Sequence, residues 1–193
     1  MTTSICIFCG SRRGAGPAYM EAARQLGSLA GAAGLRVIYG GGHVGMMGGA
    51  ADASMAAGGE VVGFIPARLL EREVGHRAIT ELVVTEGMFD RKQKMIAGAD
   101  AFVVLPGGLG TLDELLEVVT LKQLGYHEKP IVLVNLDGYW DPFVALVERI
   151  IEREFAAPDA RRLFQVVESI EEALPALGIR LPEAPPLRAA SGD

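Results

Sequence analysis

Short apolar runs alternate with longer helical patterns along the chain. The runs carry few polar positions between their apolar residues, a pattern typical of strands that are covered on both faces. The segments predicted as strands are Ser4–Cys9, Arg36–Tyr39, Glu60–Ile65, Ile79–Thr85, Ala101–Leu105, Ile131–Asn135 and Val166–Val167.

Helical patterns fill most intervals between these strands. The predicted helices are Pro17–Ala33, a small-residue helix ending at Ala57, Met88–Ala99, Thr111–Leu124, Pro142–Glu154 and Ile170–Leu177. Strands alternating with helices predict an α/β fold, a doubly wound parallel sheet with helices on both faces. We expect a single domain over residues 1–180 and a flexible Pro- and Ala-rich tail over residues 181–193.

Two glycine-rich turns, Gly40–Gly49 and Pro106–Gly110, directly follow predicted strands. Ligands of such sheets bind beyond the carboxyl ends of the strands, where glycine lets backbone N–H groups approach an anion. The first turn formally matches G-x-G-x-x-G, but it follows the second strand and not the first. It is therefore read either as tight helix–sheet packing or, on this weak pattern, as the turn of a nicotinamide-cofactor site of an oxidoreductase. A mononucleotide phosphate near Gly41 and Gly42 fits both readings.

The second turn leads into a helix with acidic residues in its first turns. No Lys-Ser/Thr pair follows its glycines, so it is not a P-loop, although it offers N–H donors and the Thr111 hydroxyl. Thr111 and Glu114 also fit a capping box, and both a capping and a catalytic role stay open for Glu114. Asp113 and Glu117 share one helical face, which is either solvated or, with Thr120, borders a pocket.

The helix beginning at Met88 carries an unusual pair of cations. At helical spacing its methionines and this pair share one face: Met88, Arg91, Lys92 and Met95. Cations on an inward face cost free energy unless an anion meets them or they reach the surface. An anion at the neighbouring glycine turn would pair with the Arg91 guanidinium.

Composition excludes several classes of protein. The net charge of −6 argues against a nucleic-acid polymer as partner. No apolar run approaches the ~20 residues of a membrane span, and no signal peptide is recognisable, so we expect a cytoplasmic protein. Cys6 and Cys9 face opposite ways along a strand, which favours structural thiols over a redox pair. The histidines at 43, 76 and 127 lack ligand spacing, so we expect no metal. We expect no cofactor either.

Three motifs resemble the LONELY GUY (LOG) family of phosphoribohydrolases, which are often labelled lysine decarboxylases. PGGLGTLDE (Pro106–Glu114) fits the signature PGGxGTxxE, and YGGGHVGMMGGAAD (Tyr39–Asp52) and the pair Arg91-Lys92 resemble the other two blocks. The similarity runs from about Ile5 to Phe155. No lysine in an evident pyridoxal-phosphate context supports the decarboxylase label.

The resemblance implies a homodimeric Rossmann-like enzyme that cleaves the N-glycosidic bond of purine nucleoside 5′-monophosphates, especially N6-modified adenosine monophosphates. The products would be a free base (a cytokinin) and ribose 5-phosphate. An AMP nucleosidase of purine salvage and a non-catalytic nucleotide sensor on the same fold stay open as alternatives.

The family's functional positions carry over onto this chain. Arg91 and Glu114 would be catalytic, with Arg91 either holding the phosphate or assisting the departing base. The substrate-binding residues would be Glu73, Arg91, Lys92, Gly107, Gly108, Leu109, Gly110, Thr111, Leu112, Asp113, Glu114, Thr120, Gly41 and Gly42. Phe89 departs from the family, which usually has histidine there, so substrate preference would differ if that histidine shapes the base pocket.

Overall fold

A computed structural model describes residues 3–70 and 75–180 of the chain. Within these ranges seven strands form one sheet in which all paired strands run parallel. The strands are β1 (Ser4–Phe8), β2 (Arg36–Tyr39), β3 (Glu60–Pro66), β4 (Glu81–Thr85), β5 (Ala101–Val104), β6 (Ile131–Val134) and β7 (Gln165–Val167). Their order across the sheet is β4-β3-β2-β1-β5-β6-β7, so the predicted α/β fold is confirmed.

Helices connect the strands close to where the sequence predicts them. They are α1 (Pro17–Ala32), α2 (Gly45–Ala56), α3 (Ala67–Leu70), α4 (Met88–Gly98), α5 (Leu109–Gln123), α6 (Asp141–Glu152) and α7 (Ile170–Ala176). The short helix α3 and the 3₁₀ turns Leu136–Gly138 and Pro158–Arg162 were not predicted, because elements this short carry little periodicity. In the described ranges no helix is long and apolar enough to cross a membrane.

Two hydrophobic clusters cover the two faces of the sheet. Alternation along β1 places Ile5 and Ile7 in the cluster under α1, α2 and α7, and Cys6 and Phe8 in the cluster under α4, α5 and α6. Helices α1 and α2 touch through small residues, and a Cβ added at Gly27 would lie 2.1 Å from the Ala50 carbonyl oxygen. The sheet is therefore buried on both sides, as its apolar strands require.

The strand order reverses at the centre of the sheet. From β1 the chain continues through α1 to β2 on one side, whereas β5 pairs with the other side of β1, with Phe8 opposite Val104. The connections that leave β1 and β5 therefore diverge and leave a crevice beyond the carboxyl ends of the strands. This is the place where open α/β sheets bind their ligands.

Candidate active site

A cavity of about 530 Å³ opens at this crevice. Its volume lies within the roughly 300–1,000 Å³ that is typical of small-molecule sites. The connection from β1 to α1 and the connection from β5 to α5 supply most of its wall. The lining residues are Cys9, Gly10, Ser11, Arg12, Gly14, Ala15, Tyr19, Met46, Met47, Leu69, Met88, Arg91, Pro106, Gly107, Gly108, Leu109, Gly110, Thr111, Glu114 and Tyr139. The predicted residues Arg91, Glu114 and 107–111 thus meet in one cavity.

Glu114 is the buried carboxylate of this cavity. Only 8% of the residue is exposed, and Oε1 lies 3.1 Å from Nη1 of Arg91, which is 7% exposed. Burial raises the pKa of Glu114 to about 7, although the positive charge of Arg91 opposes the shift. A carboxyl group with a pKa near neutrality can both accept and return a proton, which is what a general acid–base catalyst needs.

The Arg91 guanidinium is held by three protein groups. Nε donates to the Phe64 carbonyl at 3.0 Å, Nη2 donates to the Gly40 carbonyl at 3.5 Å, and Nη1 meets Glu114. A Cβ at Gly40 would lie 2.0 Å from Nη2, so the absence of a side chain there makes room for the guanidinium. The anion that meets this buried cation within the protein is therefore Glu114, and Arg91 fixes the direction of its carboxylate.

Gly41 and Gly42, which were predicted to bind the substrate, are not among the residues that line the cavity. Gly41 has φ +76°, a conformation that favours glycine, and a Cβ there would meet Ile65. Gly42 forms a bridge with Gly75. Tight packing therefore accounts for this part of the first glycine turn, whose continuation carries Met46 and Met47 into the cavity wall.

Lys92 belongs to a separate ion-pair cluster. Its ammonium nitrogen lies 3.0 Å from Asp113 Oδ2 and 2.9 Å from Glu117 Oε2. Burial lowers the pKa of Lys92, but the hydrogen bonds to the two carboxylates outweigh burial and raise it. Asp113 and Glu117 thus bind a cation from α4, and none of the three residues lines the cavity.

Two other predicted binding residues, Leu112 and Thr120, do not line the cavity. Leu112 is half-buried against the hydrophobic core, and Thr120 is exposed on the outer face of α5. Glu73 lies outside the described residues.

Of the two roles left open for Glu114, the capping box with Thr111 does not form. Helix α5 begins at Leu109, so Gly108 is the N-cap and no side chain caps the first turn. Glycines are poor helix formers, which is why the sequence suggested a start after Gly110. Glu114 therefore lies one turn further inside the helix and is free to pair with Arg91, while the first backbone N–H groups have no intrahelical acceptor.

The glycines of this turn differ in what surrounds them. A Cβ at Gly107 would lie 2.1 Å from Thr111 Oγ1 and 2.9 Å from the Gly10 backbone nitrogen. At Gly108 and Gly110 an added Cβ would meet nothing within 4 Å. Gly107 is therefore required by packing, whereas the other two leave open space beside an uncapped helix N-terminus.

Sequence reasoning missed the connection that follows β1. Ser11 and Arg12 line the cavity, and so do Tyr19 of α1 and Tyr139, whose hydroxyl donates to the Gly107 carbonyl. The signal was present, because residues 10–16 read GSRRGAG directly after the first strand. A glycine-rich turn after the first strand is the position in which doubly wound sheets bind phosphate.

Cys6 and Cys9 are free, buried, and lie in opposite hydrophobic clusters, as the strand pattern predicted. Burial raises the pKa of both thiols.

The histidines are less scattered than their spacing suggested. The rings of His43 and His76 are 4.8 Å apart between centroids, and His76 Nε2 lies 2.9 Å from Asp52 Oδ1. The expectation of no metal rested on the separation of the histidines in sequence, but the fold brings His43 and His76 together.

Solved structures of similar fold include those of a cofactor binding protein and a cofactor carrier protein. The molybdenum cofactor binding protein of Rippkaea orientalis superimposes with a TM-score of 0.67 at 23% identity, over 92% of this chain and 96% of that chain. The Moco carrier protein of Chlamydomonas reinhardtii gives a TM-score of 0.70 at 19% identity, also over 92% and 96%. At such identities the similarity establishes the fold alone.

Sequence comparisons are more specific. The family model described as "Possible lysine decarboxylase" matches residues 47–177. The chain is 42% identical to the cytokinin riboside 5′-monophosphate phosphoribohydrolase LOG of Oryza sativa subsp. japonica, over 89% of this chain and 74% of that protein. It is also 42% identical to LOG7 of Arabidopsis thaliana, a protein of the same name, over 89% of this chain and 82% of that protein. The chain therefore belongs to the LOG family of phosphoribohydrolases.

Proposed function

We propose that this protein hydrolyses the N-glycosidic bond of purine nucleoside 5′-monophosphates, with N6-modified adenosine monophosphates as its preferred substrates. The products are the free base, a cytokinin, and ribose 5-phosphate. The observation that carries the proposal is the buried Glu114, held by Arg91 at the wall of a cavity beside an uncapped helix N-terminus. The activity of the relatives, as their names give it, fits this arrangement.

The phosphate would bind at the mouth of the glycine turns. Helix N-termini attract anions, and α5 begins without a side-chain cap next to the open space over Gly108 and Gly110. Arg12 lines the same cavity and is exposed. Among the described residues no carboxylate lies within 4.0 Å of its guanidinium, so it is available to pair with a phosphate.

Glu114 would act on the sugar. Cleavage of the C1′–N9 bond builds positive charge on the ribose, and an adjacent carboxylate stabilises that charge. Glu114 takes a proton from the attacking water as the oxygen of that water bonds to C1′. The electron pair of the broken bond leaves with the purine, which takes up a proton from solvent. With a pKa of about 7, Glu114 is suited to receive the proton and later to release it.

Arg91 would position Glu114. Three protein groups already bind its donor nitrogens, which leaves two of the five guanidinium N–H donors for a ligand. Its charge keeps a larger fraction of Glu114 ionised, because it opposes the rise in the pKa of that carboxyl group. Lys92 would support α5 from behind through Asp113 and Glu117.

We also propose that the protein works as a cytoplasmic homodimer. The two free thiols are in keeping with a reducing compartment. The outer face of α5 carries exposed apolar side chains at helical spacing, and it continues into the turn that follows: Leu109, Leu116, Leu124 and Tyr126. Phe89 of α4 is 86% exposed. A second copy would bury this apolar surface.

The decisive experiment is chromatographic detection of free base after incubation with AMP or isopentenyl-AMP. The hydrolase releases adenine or isopentenyladenine together with ribose 5-phosphate. Glu114→Gln should bind the substrate and lose at least ~100-fold in kcat, as expected for the loss of a general base. Substrate binding without release by the wild-type protein would instead indicate a nucleotide sensor. Faster turnover of AMP than of the modified nucleotide would favour the salvage alternative.

A further inference from the structure

Three side chains that are well separated in sequence converge beside α2. His43 lies in the connection before α2, Asp52 lies within α2, and His76 lies in the segment before β4. Their nitrogen and oxygen ligand atoms all lie within 4.8 Å of one another. None of the three lines the cavity assigned to the nucleotide, so the proposed hydrolysis leaves this cluster without a role.

Two imidazoles and one carboxylate form a donor set that suits zinc and neighbouring transition metals. Such ions hold nitrogen and oxygen ligands at about 2.0–2.2 Å, so the donor atoms around one ion are about 3.0–3.5 Å apart. His76 Nε2 and Asp52 Oδ1 are already 2.9 Å apart. His43 is exposed and makes no hydrogen bond to another described side chain or backbone group, so a rotation of its side chain can close the set.

His76 is held firmly in place. It is 2% exposed, and its backbone N–H donates to the Gly41 carbonyl at 3.0 Å. Its Nδ1 is buried and has no hydrogen-bond partner among the described residues. Because an ionised carboxylate can only accept, Asp52 keeps a ring proton on Nε2 when no ion is bound. An ion bound by Nε2 requires the proton on Nδ1 instead, and none of the described residues bonds to Nδ1 and so opposes this change.

A second cavity, of about 560 Å³, gives solvent access to the cluster and is lined by both His43 and Asp52. Arg13 and Arg24 line the same cavity, and their positive charge disfavours hard cations that rely on electrostatic attraction alone. An ion that gains from imidazole nitrogen is less affected. We propose that His43, Asp52 and His76 bind one divalent transition-metal ion of the zinc class, with open coordination positions toward this cavity.

Titration of the tag-free protein with Zn²⁺ by calorimetry, and with Co²⁺ by its visible absorption, tests the site. One ion should bind per chain. His43→Ala and Asp52→Asn should each weaken binding at least about tenfold, a change of about 1.4 kcal/mol. His127→Ala is the matched control, because His127 lies outside the cluster and bonds to the Val118 carbonyl. Absence of binding to the wild type, or equal affinity in wild type and His43→Ala, would overturn the proposal.

Thermal unfolding separates a metal site from a purely structural His–Asp pair. Because His43 is exposed, His43→Ala should unfold at the wild-type temperature in the presence of a chelator. Added Zn²⁺ should raise the unfolding temperature of the wild type, since a ligand that binds only the folded state stabilises it, and should raise that of His43→Ala far less. An equal response of the two proteins would refute the assignment. Neither readout depends on nucleotide hydrolysis.

Discussion

The chemistry of the site depends on the surroundings of a single carboxyl group. Glu114 lies on α5, but its environment is set by the sheet below it and by Arg91 from α4. Burial raises its pKa and the guanidinium opposes this rise, so that the pKa of Glu114 is about 7. The same glutamate at the exposed cap position suggested by the sequence would lack both influences.

The pH dependence of kcat/KM should reflect the raised pKa of Glu114. As the proposed general base, Glu114 works only when ionised, so kcat/KM should fall as the pH drops through about 7. A glutamate with the ordinary value of 4.5 would keep its activity well below that pH. The measurement is the initial rate of base release at limiting substrate across the pH range. A fall in kcat/KM near pH 4.5 would mean that Glu114 is not the titrating base.

In Arg91→Gln, the pH at which kcat/KM falls should be higher than in the wild type. Without the guanidinium charge the pKa of Glu114 rises further, so the base is ionised over a narrower pH range. We expect at least a ~10-fold lower kcat at neutral pH and a destabilisation of about 1–3 kcal/mol, because the Gly40 and Phe64 carbonyls lose their donor.

Arg12→Gln is the matched control for Arg91→Gln. Arg12 lines the cavity and is exposed, so its loss should raise KM through weaker phosphate binding. The pH at which kcat/KM falls should stay as in the wild type. Equal pH profiles for Arg91→Gln and the wild type would show that Arg91 does not act through Glu114. The second ionisation of a phosphate, near pH 6, would not move in either variant.

At the scale of elements, the connection between β5 and α5 combines two requirements. Gly107 allows the turn to pack against Thr111 and Gly10, while Gly108 and Gly110 leave the start of the helix open. A helix whose first N–H groups are capped by its own side chains would offer an anion fewer donors. The proposed phosphate binding therefore rests, at the scale of elements, on the uncapped start of α5.

Alanine at neighbouring glycines should separate packing from binding. Gly107→Ala should destabilise the fold by about 1–3 kcal/mol, because its Cβ overlaps Thr111 and the Gly10 backbone. Gly108→Ala should unfold as the wild type does, because its Cβ points into open space and φ is −92°.

The methyl group at residue 108 would hold the phosphate away from an N–H donor and raise KM about tenfold, the equivalent of one weakened charge-assisted hydrogen bond. Urea denaturation and steady-state kinetics measure the two effects. Unchanged KM in Gly108→Ala would move the phosphate elsewhere in the cavity.

At the scale of the whole molecule, the fold alone does not decide the activity. Solved carrier and binding proteins share this architecture at about 20% identity, and unrelated functions often occupy one fold. The activity depends instead on the residues at the reversal of the strand order. There the connections after β1 and β5 form a cavity that contains a carboxylate and a guanidinium.

The assembly should depend on the exposed face of α5. Leu116→Glu places a charge on this face without disturbing the core, and it should convert a dimer into a species of the chain mass, 20.4 kDa. Leu146→Glu on α6 is the matched control, because Leu146 is also exposed but lies on another helix. Light scattering after size-exclusion chromatography measures both masses. A monomeric wild type, or a dimer unaffected by Leu116→Glu, would contradict the proposed interface.

The sequence by itself determined the alternation of strands and helices, because each apolar run must be covered on both faces. It also determined the glycine turns at the ends of the strands and, through three motifs, the family. Helical spacing placed Met88, Arg91, Lys92 and Met95 on one inward face of α4. The last three are buried, whereas Met88 in the first turn is exposed and lines the cavity.

Only the tertiary structure decided which groups meet. Arg91 pairs with Glu114 and Lys92 with Asp113 and Glu117, although the two cations are adjacent in sequence. His43 and His76 come together with Asp52 from three different segments. Electrostatic pairing and ligand geometry depend on distances across the fold, whereas periodicity records only what each residue needs from its own helix or strand.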